Sequence, residues 1–233
     1  MKRNDVVYIL RNNIATDEVR YSVRSVVKNF PYKRIWFFGG KPEGLEPDCY
    51  VEYQQEGVSK WERSTNTVRK ICQTDELTED FWLFNDDFFI IDKVKEFPPY
   101  ILGSLDRRVQ RIFNKHHAST GYSRKLSDTQ RILKQKNCDQ LDYAVHCPIL
   151  INRAKALETL SKFKGYPMFR SLYGNHHSIG GVVTRDFTIF GLDELPRDGV
   201  NIVSTTDQSF RDGVVGKYIR DMFKESCKYE RLC

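Results

Sequence analysis

Three short, wholly apolar runs, each separated from the next by a helical face, constrain this chain more than anything else in it. Val6-Val7-Tyr8-Ile9-Leu10, Ile35-Trp36-Phe37-Phe38 and Phe81-Trp82-Leu83-Phe84 are rich in β-branched and aromatic side chains and show no polar alternation. A strand that is apolar on both sides must be covered on both faces, which is the habit of parallel sheets. Between the first two runs, Val19, Val23, Val26, Val27 and Phe30 share one helical face. Thr16 stands where it can cap that helix, Asp17 and Glu18 occupy its first turn, and Pro31 ends it. Before the third run, Trp61, Thr65, Val68, Ile71 and Cys72 form a second helical face. Strand, helix, strand, helix, strand implies βαβ units: an α/β chain with a mostly parallel, Rossmann-like central sheet flanked by helices.

The rest of the chain is less regular. Residues 41–57 hold Pro, Gly and acids and read as loop. Phe88 to Ile91 reads as a continuation of the third strand. From Asp92 to Cys138, Pro98-Pro99, Arg107-Arg108, His116-His117 and Lys134 to Lys136 mark a basic helical or loop insertion. It is placed at about 92–140 within a single domain spanning 1–233, with Ser127 as a cap for a short helix. A strand is expected over Tyr143–Leu150 and a helix carrying Ala154, Leu157, Leu160 and Phe163. Residues 165–181, with His176-His177, read as a functional loop. Asn201–Ser204 reads as a strand. Asp207 reads as an acid that can cap the last helix, whose apolar face holds Val214, Val215, Tyr218, Ile219, Met222 and Phe223.

Charge and cysteines narrow the function classes. A net charge of +6 and a pI near 8.9 favour a polyanionic partner, nucleic acid or phosphorylated sugar, but the basic residues form no dense tract. The six cysteines make no CxxC pair, against a zinc ribbon. No signal-peptide pattern and no membrane-length apolar run is present, so the expectation is a cytoplasmic protein with reduced thiols and no membrane insertion.

The chemistry concentrates where the third run ends. Asn85-Asp86-Asp87 comes directly after four apolar residues. Buried carboxylates are costly unless paired or bound to a cation. At the carboxyl end of a strand they can flank the crevice in which open α/β sheets place ligands. Mg²⁺ or Mn²⁺ takes oxygen ligands, often one or two carboxylates plus substrate phosphate. By itself the acid pair also suits a polar turn between two strands.

Several segments together resemble the Stealth family of sugar-phosphate transferases and related phage and bacterial glycosyltransferase-like proteins. Asp5-Val6-Val7-Tyr8 is similar to that family's opening strand, and Asp17 to Val26 resembles its ELRYSLRS helix. Phe84 to Phe89 resembles its NDDFF motif, Tyr143 to Pro148 its H-x-P segment, and Phe223 to Glu230 its closing segment. The resemblance implies a GT-A-like fold and a metal-dependent glycosyltransferase or hexose-phosphate transferase with a nucleotide-sugar donor. It implies Asp86 and Asp87 as metal ligands and Asn85 beside the donor. Arg20 and Arg24, four apart on one helix face, and Arg63 on the second helix are candidates for the donor phosphates. Asp142 and His146 are candidate bases, with Asp87 at the reacting centre. The acceptor is open between a hydroxymethylated DNA base, with residues 107–136 as the DNA-facing lobe, and a glycan or its lipid-linked precursor. A non-catalytic nucleotide or nucleic-acid module is the further alternative.

Overall fold

A computed structural model describes residues 3–12, 16–116, 121–165 and 168–231. The chain opens with β1 (Asp5–Leu10), α1 (Thr16–Asn29) and β2 (Ile35–Gly39), the strands parallel with Val6 opposite Ile35 and Leu10 opposite Gly39. Then come β3 (Cys49–Glu52), α2 (Lys60–Cys72), β4 (Asp80–Phe84) and β5 (Phe88–Ile90). The basic region holds β6 (Tyr100–Ile101), α3 (Leu105–His116) and α4 (Gly121–Gln135). The chain closes with β7 (Ile149–Asn152), α5 (Arg153–Lys162), α6 (Phe169–His176), β8 (Val182–Val183), β9 (Thr188–Ile189), β10 (Ile202–Thr205), α7 (Asp207–Asp212) and α8 (Val214–Met222).

The main sheet runs β3-β2-β1-β4-β7. Its first four strands are parallel, and β7 joins β4 antiparallel with Phe81 opposite Ile151. The three apolar runs are buried on both faces because successive side chains alternate sides. Val6, Tyr8, Leu10, Ile35, Phe37, Trp82 and Phe84 pack with Val19, Val23, Val26 and Phe30 of α1. Val7, Trp36, Phe38, Phe81 and Leu83 face the other way, onto Val68, Ile71 and Cys72 of α2 and Ala156 and Leu160 of α5. Gly39 has φ +114°, and a Cβ there would collide with the Leu10 carbonyl, so only glycine lets β2 end this close to β1. The strand order reverses between β1 and β4, so the crevice at their carboxyl ends is the topological switch point.

Several sequence expectations are corrected. Residues 41–57 contain β3, a four-residue edge strand with every second side chain exposed and too little apolar content to stand out. Phe88–Ile90 does not continue β4. After the 85–87 bend it pairs antiparallel with β10 in a separate sheet ordered β5-β10-β9. Only Ile149–Asn152 of the later segment is strand; 143–148 is irregular. Ser127 lies inside α4, its hydroxyl donating to the Ser123 carbonyl. The 165–181 region contains helix α6, and Thr206 rather than Asp207 caps α7 through a reciprocal bond with Ser209. α3 and α4 pack on each other, and Leu105, Leu126 and Leu133 cluster with Phe163, Met168 and Leu172. His117 lies outside the described residues.

Candidate active site

The fully buried Phe81-Trp82-Leu83-Phe84 stretch fixes where β4 stops, and the next three residues are only half-buried. Asn85, Asp86 and Asp87 therefore emerge at the carboxyl edge of the sheet, lining a cavity of about 350 Å³. Its wall also holds Glu18, Asp207, Arg11, Lys60 and Arg63. Asp87 is held in place: its Oδ2 accepts the Ser204 hydroxyl at 2.6 Å, and its carbonyl accepts the Thr205 N–H at 3.3 Å. Glu18 accepts the Thr205 hydroxyl at 3.1 Å. An Arg11 nitrogen lies 3.9 Å from Asp86 and 3.7 Å from Asp207.

Arg11 does not offset the burial and crowding of these acids. Burial and the neighbouring Asp87 carboxylate push the Asp86 carboxyl up to about 6, against the pull of Arg11. Burial and the Asp86 charge push Glu18 up to about 7. Burial also raises Asp87, opposed by the Ser204 hydrogen bond and the charges of His146 and Arg170. Carboxylates crowded in a half-open cleft fit a hard divalent cation, which would relieve both burial and repulsion. Among the described residues, no third carboxylate, histidine or cysteine closes on Asp86 and Asp87 as a ready three-ligand cluster. Further oxygens would have to come from water or a bound phosphate, the usual habit of Mg²⁺.

A second cavity of about 510 Å³ shares Ile9, Lys60, Ser64 and Asn85 with the first, so the two are compartments of one cleft. Here the walls are aromatic and basic. Trp61 of α2 stacks on Tyr122 of α4 with ring centroids 6.0 Å apart, and Phe169, Phe190 and Arg108 complete the rim. His146 and Asp186 face this compartment. Asp186 Oδ2 lies 2.9 Å from His146 Nδ1, and its Oδ1 accepts the His146 backbone N–H at 3.0 Å. An ionised carboxylate only accepts, so Nδ1 carries a proton, and in the neutral ring the lone pair is therefore on Nε2. Arg170 sits beneath, donating to the carbonyls of Val145 and Cys147, each at 2.8 Å, which fixes the irregular segment that presents His146.

The structure thus brings together Asn85, Asp86, Asp87, Arg63 and His146 from the sequence candidates. Three others stand elsewhere. Arg24 is committed to Glu230 through two bonds, of 2.7 and 2.5 Å, and to the carbonyls of Phe223 and Lys224. Arg20 lies 3.6 Å from Asp17 and 3.8 Å from Glu230. Their spacing did put both on one face of α1, but the C-terminal segment covers that face, and neither lines the cleft. Asp142 is fully buried, its Oδ1 accepting the Ala144 N–H and its Oδ2 3.7 Å from Arg108, too deep to meet an acceptor. Sequence reasoning missed Glu18, Arg11, Asp186 and Arg170. Glu18 carried a sequence signal only as a helix-dipole charge, and Asp186, 40 positions from His146, carried none.

No family model matches this chain, and no curated protein matches it. Among solved structures, an active-site mutant of LgtC is similar over 94% of this chain and 94% of its own, with a TM-score of 0.50 at 13% identity. Mouse xyloside xylosyltransferase 1, in its apo form, covers 99% of this chain and 96% of its own with a TM-score of 0.41 at 9% identity. At this identity the LgtC likeness is one of fold. The fold is GT-A-like: mixed α/β, with a mostly parallel central sheet flanked by helices. No helix among the described residues is long and apolar enough to cross a membrane.

Proposed function

We propose that this cleft is the active site of a metal-dependent glycosyltransferase that moves a sugar from a nucleotide-diphosphate donor to an acceptor hydroxyl. The observation that carries this reading is the crowd of pKa-raised carboxylates at the carboxyl end of β4, facing Arg11, Lys60 and Arg63 across an open cleft at the sheet's switch point. Asp86 and Asp87 would hold Mn²⁺ or Mg²⁺, which when bound neutralises charge on the leaving diphosphate. Arg63 and Lys60 meet the donor phosphates, and Asn85, shared by both compartments, lies beside the reacting sugar. His146 Nε2 takes the proton of the acceptor hydroxyl while Asp186 stabilises the imidazolium. The bond from the sugar carbon to the donor phosphate breaks, the bond to the acceptor oxygen forms, and the nucleoside diphosphate leaves.

The basic face of α3 and α4, with Arg107, Arg111, Lys115, Arg124 and Lys134 exposed, supports a polyanionic acceptor, and we assign hydroxymethylated DNA over a neutral glycan. Tyr122 of this lobe reaches the aromatic compartment, where an extruded base would stack on the Trp61–Tyr122 pair. The test is hydrolysis and transfer with a nucleotide-sugar panel and Mn²⁺. Wild type should release nucleoside diphosphate and Asp87→Ala should not; equal rates remove the assigned role of Asp87. Release of nucleoside monophosphate would mark sugar-phosphate transfer instead. Failure to bind nucleoside diphosphate with Mn²⁺ would leave a non-catalytic module. Binding to duplex DNA that is absent even at low salt would turn the acceptor to a glycan.

A further inference from the structure

Away from the cleft, the end of α6 meets the middle of α5. Glu158 projects from α5, and His176 and His177 close α6. Adjacent histidines alone make no metal site, because neighbouring side chains point different ways. Here the third donor comes from another helix, and one ligand atom from each of Glu158, His176 and His177 lies within 4.8 Å of the other two. Tetrahedral ligands on zinc stand about 3.3 Å apart, so small side-chain rotations suffice to close the set.

The surroundings orient both rings. His177 Nε2 lies 3.0 Å from the Lys155 carbonyl and 3.0 Å from the Thr159 hydroxyl. Thr159 donates its own proton to the Lys155 carbonyl, at 2.9 Å. Both neighbours of Nε2 therefore accept, Nε2 carries the hydrogen, and Nδ1 presents a lone pair. A backbone carbonyl fixing the far nitrogen is the arrangement that supports a metal-binding imidazole. His176 packs edge-on against Phe163, centroids 5.4 Å apart, and points Nε2 at Glu158 Oε1 at 3.0 Å. A cation can replace that shared proton.

We infer that Glu158, His176 and His177 form a site for a borderline divalent transition metal such as Zn²⁺, bracing the end of α6 against α5. Two imidazoles and a carboxylate are the donor set such ions favour over Mg²⁺, and Glu158 is exposed, so water can complete the shell. None of the three residues lines the cleft, so this site stands apart from the proposed transferase centre.

The test uses the full chain, stripped with a chelator and titrated with Zn²⁺ in competition with a chromophoric chelator. One equivalent should bind to wild type and to an Asp86→Asn/Asp87→Asn variant, which separates this site from the cleft. Glu158→Gln, an exposed change that leaves packing intact, and His177→Ala should each weaken binding by at least about tenfold. Substitution with Co²⁺ should give visible d–d absorption in wild type that Glu158→Gln loses. Zn²⁺ binding equal in wild type and both variants, or lost on changing Asp86 and Asp87, overturns the site.

Discussion

His146 and Asp186 are joined twice, ring to carboxylate at 2.9 Å and backbone N–H to the second carboxylate oxygen at 3.0 Å. Burial pushes the Asp186 carboxyl up, but the His146 hydrogen bonds outweigh it and leave the group below its ordinary range. The pair therefore presents a fixed tautomer to the cleft. His146→Ala should lower the transfer rate by roughly 10²–10⁴-fold with little change in donor KM, since its role lies in proton transfer. Asp186→Asn should cost about 10–100-fold by loosening the ring's orientation. Steady-state kinetics checks both; a change confined to KM would assign the pair to binding.

The acid cluster predicts an inverted pH dependence of stability. Glu18 and Asp86 are held at about 7 and about 6 in the folded chain, above their ordinary values. Folding thus favours their protonated forms, and this contribution is full below about pH 4 and lost as pH rises through 6 and 7. With EDTA present, Tm should fall between pH 5 and pH 8. Mn²⁺ should reverse the fall. Asp86→Asn should raise stability at pH 8 by about 1–2 kcal/mol while abolishing the Mn²⁺ effect. A flat Tm in EDTA over this range would show that burial and mutual repulsion do not raise these carboxyls.

Ser204 ties β10 to the acidic turn through its 2.6 Å bond to Asp87. A hydrogen bond to a charged group contributes about 1.5–3 kcal/mol, and here part of that goes into orienting the carboxylate. Ser204→Ala should therefore raise the Mn²⁺ concentration needed for nucleoside-diphosphate binding about tenfold, measured by calorimetry, with Ser204→Thr closer to wild type. An unchanged Mn²⁺ dependence would mean that Asp87 is not a ligand.

Arg24 is expected to matter for folding and not for the donor. Its guanidinium and Glu230 are both about nine-tenths buried, and the bond joins α1 to the chain's last segment. Arg24→Met takes from a buried carboxylate its bidentate partner, leaving Arg20 at 3.8 Å as the nearer remaining cation, and should cost about 2–3 kcal/mol in denaturant unfolding, with donor KM unchanged. A raised donor KM at native stability would return Arg24 to the phosphate site.

The sequence by itself determined the central sheet and the place where its chemistry emerges. Val6–Leu10, Ile35–Phe38 and Phe81–Phe84 are apolar on both sides, a local property that only two-sided burial satisfies, and it fixed β1, β2, β4 and the exit point of Asn85-Asp86-Asp87. The short, half-exposed β3 left no such pattern. Tertiary structure alone decided the company these residues keep. Arg20 and Arg24 share a face as their spacing requires, but only the fold lays Glu230 over that face, 206 residues away from Arg24. Asp186 reaches His146, Ser204 reaches Asp87, and Glu158 reaches His176 across 40, 117 and 18 positions. Periodicity sets which way a side chain leaves its own helix or strand. Which charge it then meets depends on how separate elements pack, and no local pattern encodes that.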